Sequence, residues 1–580
     1  AMIEVQKLGE RGTSERNISE ELRSRAELVY AHNSSPIVDS LMTASYMAHL
    51  GLSPAYIATN MSQVPMITVP WLRGRHTTQS VMDQLGTALK DVSKIIYSNA
   101  SEDGWRMEFN WEGKLNKGES AMMQELLERN KLDITIEHDL STVAKGRNST
   151  GLPSVFSRTN ESIQLLNTPV RITELANRGV TALAAYRLEA NRLKRAQSAN
   201  KLSDRQIHQR ATEYAVDAVN ETQLDYSGLN APRYMQTLGG SKSLAKLAFQ
   251  FRKYQQGMLY LVFSNIKNAL AGATVQQRRE ARRTLTGLFV TTGLMGGLTG
   301  LPLAGTLAVI VDLAQDMAGE DDEPYDIEVE IRNSLTDYLG ADVSGAIVRG
   351  LPTLFAGVDV SRRVGMGDLL FPVPYARKAD NARDTIMEYM IASLGAAPNY
   401  LINALGAGQY IAEGEYEKAL EKTFPIKAVQ NVVKAYRYSE EGMTDSQGEV
   451  ILPPETFDSS DLLMRAFGFS TTMESDYYEA YGRMRDIQTA LMNKRSDLIK
   501  SYSQARLDKD SQRMKTALDE IKAFNERNAD RGRGVVITKS SLVRSTKTRA
   551  SNRVERLESG LRGGRRYQPY LEDVRFATGE

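Results

Sequence analysis

Along most of the chain, apolar residues recur every three or four positions among charged ones, the spacing of amphipathic helices. Ile18 to Met47 keeps this period, with a break at Asn33-Ser34-Ser35-Pro36. Ser80 to Ile96 and Glu119 to Lys131 predict short amphipathic helices. A longer helix is expected from Thr168, through Glu174, Asn177, Arg178, Ala185 and Tyr186, to Lys194. Ser203-Asp204 is placed to cap the next, which carries Ala211, Ala215, Ala218 and Val219. Glu474 to Arg506 and Ser511 to Arg527 predict a helical hairpin turned at Leu507-Asp508-Lys509-Asp510. The exceptions are local. Asn60 to Pro65 and Thr68 to Trp71 are apolar but punctuated by Pro65 and Pro70, so a kinked connection is expected there rather than a helix interior. Trp105 to Trp111 alternates with period two, as a short hairpin would, and Gly146 to Thr159 reads as a polar loop. The expected fold class is mainly α: an extended multi-helix array with Pro/Gly-rich connections and a C-terminal helical hairpin.

One stretch departs from this charged pattern. Thr284 to Val311 is 28 residues without a charge, and it holds six glycines and Pro302. About 20 apolar residues suffice for a helix to cross a bilayer, so the length fits a membrane element running from Leu285 to Val311. Glycine and proline weaken a continuous helix, which suits transient rather than permanent membrane contact. The pairs Gly293/Gly297 and Gly296/Gly300 have the small-xxx-small spacing that lets membrane helices pack closely. Arg278, Arg279, Arg282 and Arg283 flank one side; Asp312, Asp316 and the acidic run Glu320 to Glu323 flank the other. The positive-inside rule would set the arginine side toward the cytoplasm. The alternative is a buried pair of short helices turned at Gly300-Leu301-Pro302.

Composition adds limits. The 580 residues carry 72 basic and 71 acidic side chains, a net charge of +1, so partners must be read from local charge. With no cysteine, disulfides, thiolate catalysis and thiolate metal sites are excluded. The five histidines are scattered singly, without a metal-ligand spacing. No metal or other cofactor is expected. From Arg531 to Arg566 there are eleven Lys/Arg against two Glu. Arg531, Arg533, Arg544, Lys547, Arg549, Arg553, Arg556, Arg562, Arg565 and Arg566 are therefore candidates for contact with phosphate, of DNA or of anionic lipid. Few aromatics are interleaved, so base stacking is not indicated. On a helix, Phe251, Tyr254, Met258 and Leu261 share one face, a spacing that favours core. No GxSxG, Walker loop or GxGxxG motif is present, and the acidic pairs are those of any charged helical surface, so no catalytic residue is assigned.

Several segments together resemble one group. They are Asn60-Met-Ser-Gln-Val-Pro65 with Pro70, Glu174-Leu-Ala-Asn-Arg178 leading to Ala184-Ala-Tyr186, and Thr222-Gln-Leu-Asp-Tyr226 with Pro232-Arg-Tyr234. Phe249-Gln-Phe-Arg-Lys-Tyr254, Gly357-Val-Asp-Val-Ser361 with Val364-Gly-Met-Gly367, and Leu463-Met-Arg-Ala-Phe-Gly-Phe469 follow. In this order they resemble the C-terminal conserved region of large phage internal virion proteins, of the PLxRFG or large polyvalent-protein-associated type. The literal PLxRFG string is absent, since Ala466 interrupts it. The resemblance implies a non-enzymatic ejection protein, stored in the capsid near the portal with other internal virion proteins. It would leave ahead of the genome and assemble as a homo-oligomer, a ring or tube, in the host envelope. Phage DNA would pass through it non-specifically. The other expectation is an internal-core or scaffold protein at the portal that never enters a membrane.

The expected organisation is an N-terminal helical region (1–160), a helical core (161–283), the glycine-rich apolar segment (284–311), a Gly/Pro-rich helical region (312–470), the hairpin (471–530) and a basic tail (531–580).

Overall fold

The computed structural model describes residues 17–23, 52–103, 110–132, 157–196, 202–223, 253–318, 326–367, 427–444, 448–532 and 534–561. The fold is mainly helical. It divides into two compact units, one drawn from 1–308, 328–373 and 390–475, the other from 309–327, 374–389 and 476–580.

The first unit begins with α1 (Pro54–Met61), a π-helix (Val64–Thr68) and α2 (Val69–Arg75). This corrects the expected kinked connection. Pro65 and Pro70 both sit in the first turn of their helical segments, where no backbone donor is required. The wider π turn absorbs the register change between them. The segment is central: Leu72 lies in one core, Met66 and Ile67 in another, and Trp71 packs against both.

The first core is a helical bundle. It joins α3 (Thr78–Asp103), α4 (Lys117–Glu128), α5 (Ser157–Arg195) and α6 (Asp204–Thr222). Asn116 and Ser203 each close a capping box, with Glu119 and Gln206 three positions on. Ala182, Ala184 and Ala185 of α5 and Ala215 and Ala218 of α6 are all buried in this core, where the two helices pack against each other. Helix α5 begins at Ser157, so the expected polar loop is helical in its last three residues. The hairpin proposed at Trp105 lies outside the described residues, except that Trp111 is buried in this core.

The second core brings Met66 and Ile67 against Met258, Leu261 and Val262 of α7 (Lys253–Ala271) and Leu288 of α8 (Val275–Gly296). After α8 come α9 (Ala304–Ala318), α10 (Ile327–Leu339), α11 (Ala341–Arg349), α12 (Leu351–Ala356), β1 (Val358–Asp359) and α13 (Ser361–Val364). Then follow α14 (Lys427–Glu440), β2 (Met443–Thr444), β3 (Val450–Leu452), α15 (Ser459–Phe467) and β4 (Ser470–Thr471). The strands make two antiparallel pairs, β1 with β4 and β2 with β3.

In the second unit, α16 (Thr472–Leu507) and α17 (Ser511–Arg527) form the expected hairpin, with Lys509 at positive φ in the turn. Part of the basic tail is also folded here. Residues Lys539–Leu561 form α18, anchored by buried Ile537 and Leu542 against Leu498, Tyr502 and Phe524. Asn525 fixes the approach, donating to the Ile537 carbonyl at 2.9 Å and accepting from its N–H at 2.7 Å.

Candidate functional site

The uncharged run is not one helix. Its first part belongs to α8, which starts nine residues earlier at Val275 and carries Arg278, Arg279, Arg282 and Arg283 in its first half. The helix ends at Gly297, whose φ of 63° and ψ of −156° only glycine adopts readily. A turn through Gly300 and buried Pro302 leads to α9. Among the described residues, no helix is long and apolar enough to cross a membrane. The segment from Leu285 to Val311 is thus two helices and a turn; it shares the turn of the alternative reading but is not buried on its outer side.

Glycines line the inner side of this segment because backbones touch there. The Leu298 and Thr299 N–H groups donate to the carbonyls of Ile347 and Val348, at 2.9 and 3.1 Å. The Leu303 N–H donates to Met366 O at 3.0 Å, and the Met366 N–H donates to Gly300 O at 2.8 Å. A methyl group on Gly297 would collide with the Val348 carbonyl, and one on Gly350 with the Met295 carbonyl. One on Gly300 would lie 2.6 Å from the Gly296 Cα. Further back along α8, a methyl on Gly287 would lie 2.9 Å from Pro70 Cβ. Gly293 differs: its added methyl would meet only the Leu301 Cδ2, at 3.4 Å. The two small-xxx-small pairs are thus unequal, and outside their own segment their close partners are α11 and the 361–367 segment.

The outer side of the segment is the reverse. Arg279, Arg282, Arg283 and Thr286 are exposed, and Phe289, Val290 and Leu294 continue the same stripe at helical spacing. Leu298 and Leu307 are exposed too, while Leu285 is half-buried; Ile310 and Val311, in the other unit, are also exposed. Near the turn, α11 and α12 expose Val343, Ile347, Leu351, Leu354 and Phe355. So much uncovered apolar surface is unusual for a monomer in water.

Of the basic tail candidates, Arg531, Arg544 and Lys547 are exposed and Arg549 is half-buried. Arg553 and Arg556 fall on the last turns of α18. Arg533, Arg562, Arg565 and Arg566 lie outside the described residues.

Some described residues in or beside the segments that carried the family resemblance meet; 224–234 and 249–252 lie outside the described residues. Asn177 donates to the Asn60 carbonyl at 2.8 Å, joining the second segment to the first. Gln223 donates to Thr68 Oγ1 and Thr181 Oγ1 at 3.2 and 3.3 Å, in a buried knot that Thr222 completes. Val358 and Asp359 pair with Thr471 and Ser470, and Arg363 reaches the Gly468 carbonyl. These polar groups hold one segment to another; they are spent on packing.

A partly buried polar cluster has no signature in the sequence. At the end of α2, Arg75 forms a two-pronged pair with Glu280 of α8, at 3.1 and 3.3 Å. It also stacks on Tyr214 of α6, 4.8 Å from the ring centre. His76 lies 3.8 Å from Glu189 and edge-on to Tyr214. Arg192 closes the group with two bonds to Glu189. Burial pushes His76 down to about 4, against the pull of Glu189, so it is neutral at pH 7. Burial also pushes the Tyr214 phenol up. Among the described residues, the Tyr214 hydroxyl and His76 Nε2 find no hydrogen-bond partner. At pH 7 the histidine is neutral, the phenol is protonated and both carboxylates are paired with arginine, so the charged groups satisfy one another. The nearest thing to a hint along the chain is one tyrosine on the alanine-lined face of α6. Among the described residues, no group of three or more His, Asp or Glu is arranged to hold a metal. No family model, curated protein or solved structure matches this chain.

Proposed function

We propose that this chain is a non-enzymatic internal virion protein of a bacteriophage, stored near the portal and ejected to build an oligomeric conduit for DNA in the host envelope. The observation that carries the reading is the two-sided segment formed by α8 and the turn that follows it. Its inner side is latched by backbone contacts, whereas its outer side runs from exposed arginines into uncovered apolar residues. A helix with that distribution sits well at a membrane surface, its arginines toward anionic headgroups. The ordered family resemblance supplies the phage setting. Exposed Arg544 and Lys547 on α18 give the protein a place to touch phosphate without reading sequence. The absence of cysteine suits a chain that must unfold to leave a capsid and refold outside it.

A second reading is an internal-core component at the portal that never enters lipid. It is favoured by the lack of any described helix fit to span a membrane. Flotation with anionic and neutral liposomes, with dye release, separates the two. Float-up and leakage that disappear when Phe289, Val290 and Leu294 are changed to serine support the conduit. No lipid association at all rejects it and leaves the core component.

A further inference from the structure

Helix α10 is an anomaly. It carries Ile327, Val329, Ile331, Leu335, Tyr338 and Leu339, yet it has no buried residue. Isolated helices of 13 residues are marginal in water, and most helical stability comes from packing an apolar face. Its apolar face is therefore not closed over by the described residues, although the Ser344 hydroxyl of α11 donates to the Arg332 carbonyl at 3.0 Å. Tyr338 is 88% exposed, and Phe355, two elements later, is 79% exposed.

The charges around this surface are one-sided. Between Glu328 and Val343 four carboxylates stand against Arg332 alone, and Glu330, Asp337 and Asp342 are exposed. Helix α8 has the opposite bias, with four arginines against Glu280, and Glu280 is already held by Arg75. Arg279 and Arg283 are exposed and form no ion pair among the described residues. The two surfaces belong to the same compact unit. The acidic one joins α8 at its far end, where Leu298 bonds Ile347. Arg283 stands about 20 Å back along that helix, at 1.5 Å per residue.

We infer that the acidic apolar surface of α10 and α11 docks on the arginine-flanked apolar face of α8 in a second copy of this chain. Phe289, Val290 and Leu294 of one copy cover Ile331, Tyr338 and Val343 of the other. Arg279, Arg282 and Arg283 then face Glu330, Asp337 and Asp342. Opposite charge aligns the two copies, and the apolar residues supply the burial. This names the contact through which the oligomer of the proposed function forms, and it rests on that reading. It does not require lipid.

The test is charge reversal in the full chain, read by sedimentation velocity without lipid across a concentration series. One variant carries Glu330→Arg, Asp337→Arg and Asp342→Arg; the other carries Arg279→Glu, Arg282→Glu and Arg283→Glu. Each alone should self-associate at least tenfold more weakly than the parent chain, because like charges then face each other. Mixing the two variants, or combining all six changes in one chain, should restore assembly. Restoration also shows that the variants fold. A parent chain that stays monomeric at every concentration overturns the inference. So do single variants that assemble as the parent does, or a mixture that fails to rescue. Assembly that follows this pattern without liposome flotation keeps the contact and rejects the membrane role. Flotation by a strictly monomeric chain does the reverse.

Discussion

Replacing Gly297 by alanine should disable the latch, whereas the same change at Gly293, one helical turn earlier, should not. At Gly297 three costs add. Alanine is strained at φ 63°, ψ −156° by about 1–3 kcal/mol. Its methyl group would overlap the Val348 carbonyl, and forcing such groups apart costs about 1–3 kcal/mol. The shift would also stretch the Leu298-to-Ile347 and Thr299-to-Val348 hydrogen bonds, each worth about 1 kcal/mol. With each cost at the low end of its range, a loss of at least about 4 kcal/mol is expected. At Gly293 the methyl meets only a flexible leucine tip at 3.4 Å, in helical backbone, so Gly293→Ala should be neutral or gain about 0.5–1 kcal/mol. Gly345, in α11 with nothing within 4 Å of an added methyl, is a second helical control. All three tryptophans belong to the first unit, so urea unfolding followed by tryptophan fluorescence reports on the relevant part. Hydrogen exchange at the Leu298 and Thr299 amides reports on the latch itself. A Gly297→Ala protein within 1 kcal/mol of the parent, with both amides still protected, would refute the reasoning. So would Gly293→Ala proving the more damaging of the two.

The remaining predictions concern buried charge and the basic helix. Burial raises the Glu174 carboxyl from 4.5 to about 7 in the folded chain, so the folded state holds the proton more tightly. Stability should then fall by about 3 kcal/mol as pH rises from about 4.5 to 7, at roughly 1.4 kcal/mol per unit, and Glu174→Gln should flatten that slope in urea titrations. His76 has the opposite sign: its folded value of about 4 lies below the ordinary 6.5. Its contribution is complete above about 6.5 and is lost toward pH 4, by about 3 kcal/mol, and His76→Gln should lessen the acid-side loss. Tyr214→Phe removes a buried hydroxyl without a partner, so thermal unfolding should show no loss or a slight gain, where a satisfied hydroxyl would cost about 1 kcal/mol. Arg544→Ala with Lys547→Ala should weaken duplex DNA binding about equally for unrelated sequences. The log–log salt slope should fall by roughly 0.9 for each phosphate no longer neutralised, as read by fluorescence anisotropy.

What could be read from the chain was what is local. The Ser203 cap, the helical period of α6 and the turn at Leu507 to Asp510 depend on neighbours within a few positions, and each formed as expected. The prolines at 65 and 70 misled because their meaning depends on position within a helix: in a first turn proline is favourable, inside it is not. Helix α18 is hard to foresee because two buried apolar residues, Ile537 and Leu542, suffice to dock it, and the hydroxyl contacts of Ser545 and Thr546 with Ser503 finish the join. The uncharged segment was the hardest, for a reason that is physical. A glycine that lets two helices touch in a bilayer and one that lets a turn touch a carbonyl in a folded protein carry the same letter. The Val348 carbonyl that decides between them at Thr299 lies 49 residues away. Only the outer stripe, Phe289, Val290 and Leu294, keeps the character that the sequence led one to expect of the whole segment. The functional question is thereby narrowed from whether 28 residues span a membrane to what covers one face of one helix. A charge-matched copy of the chain and an anionic bilayer would both satisfy that face. They differ in that only the copy must also present the acids of α10, which is why reversing those acids, and not deleting the segment, is the decisive change.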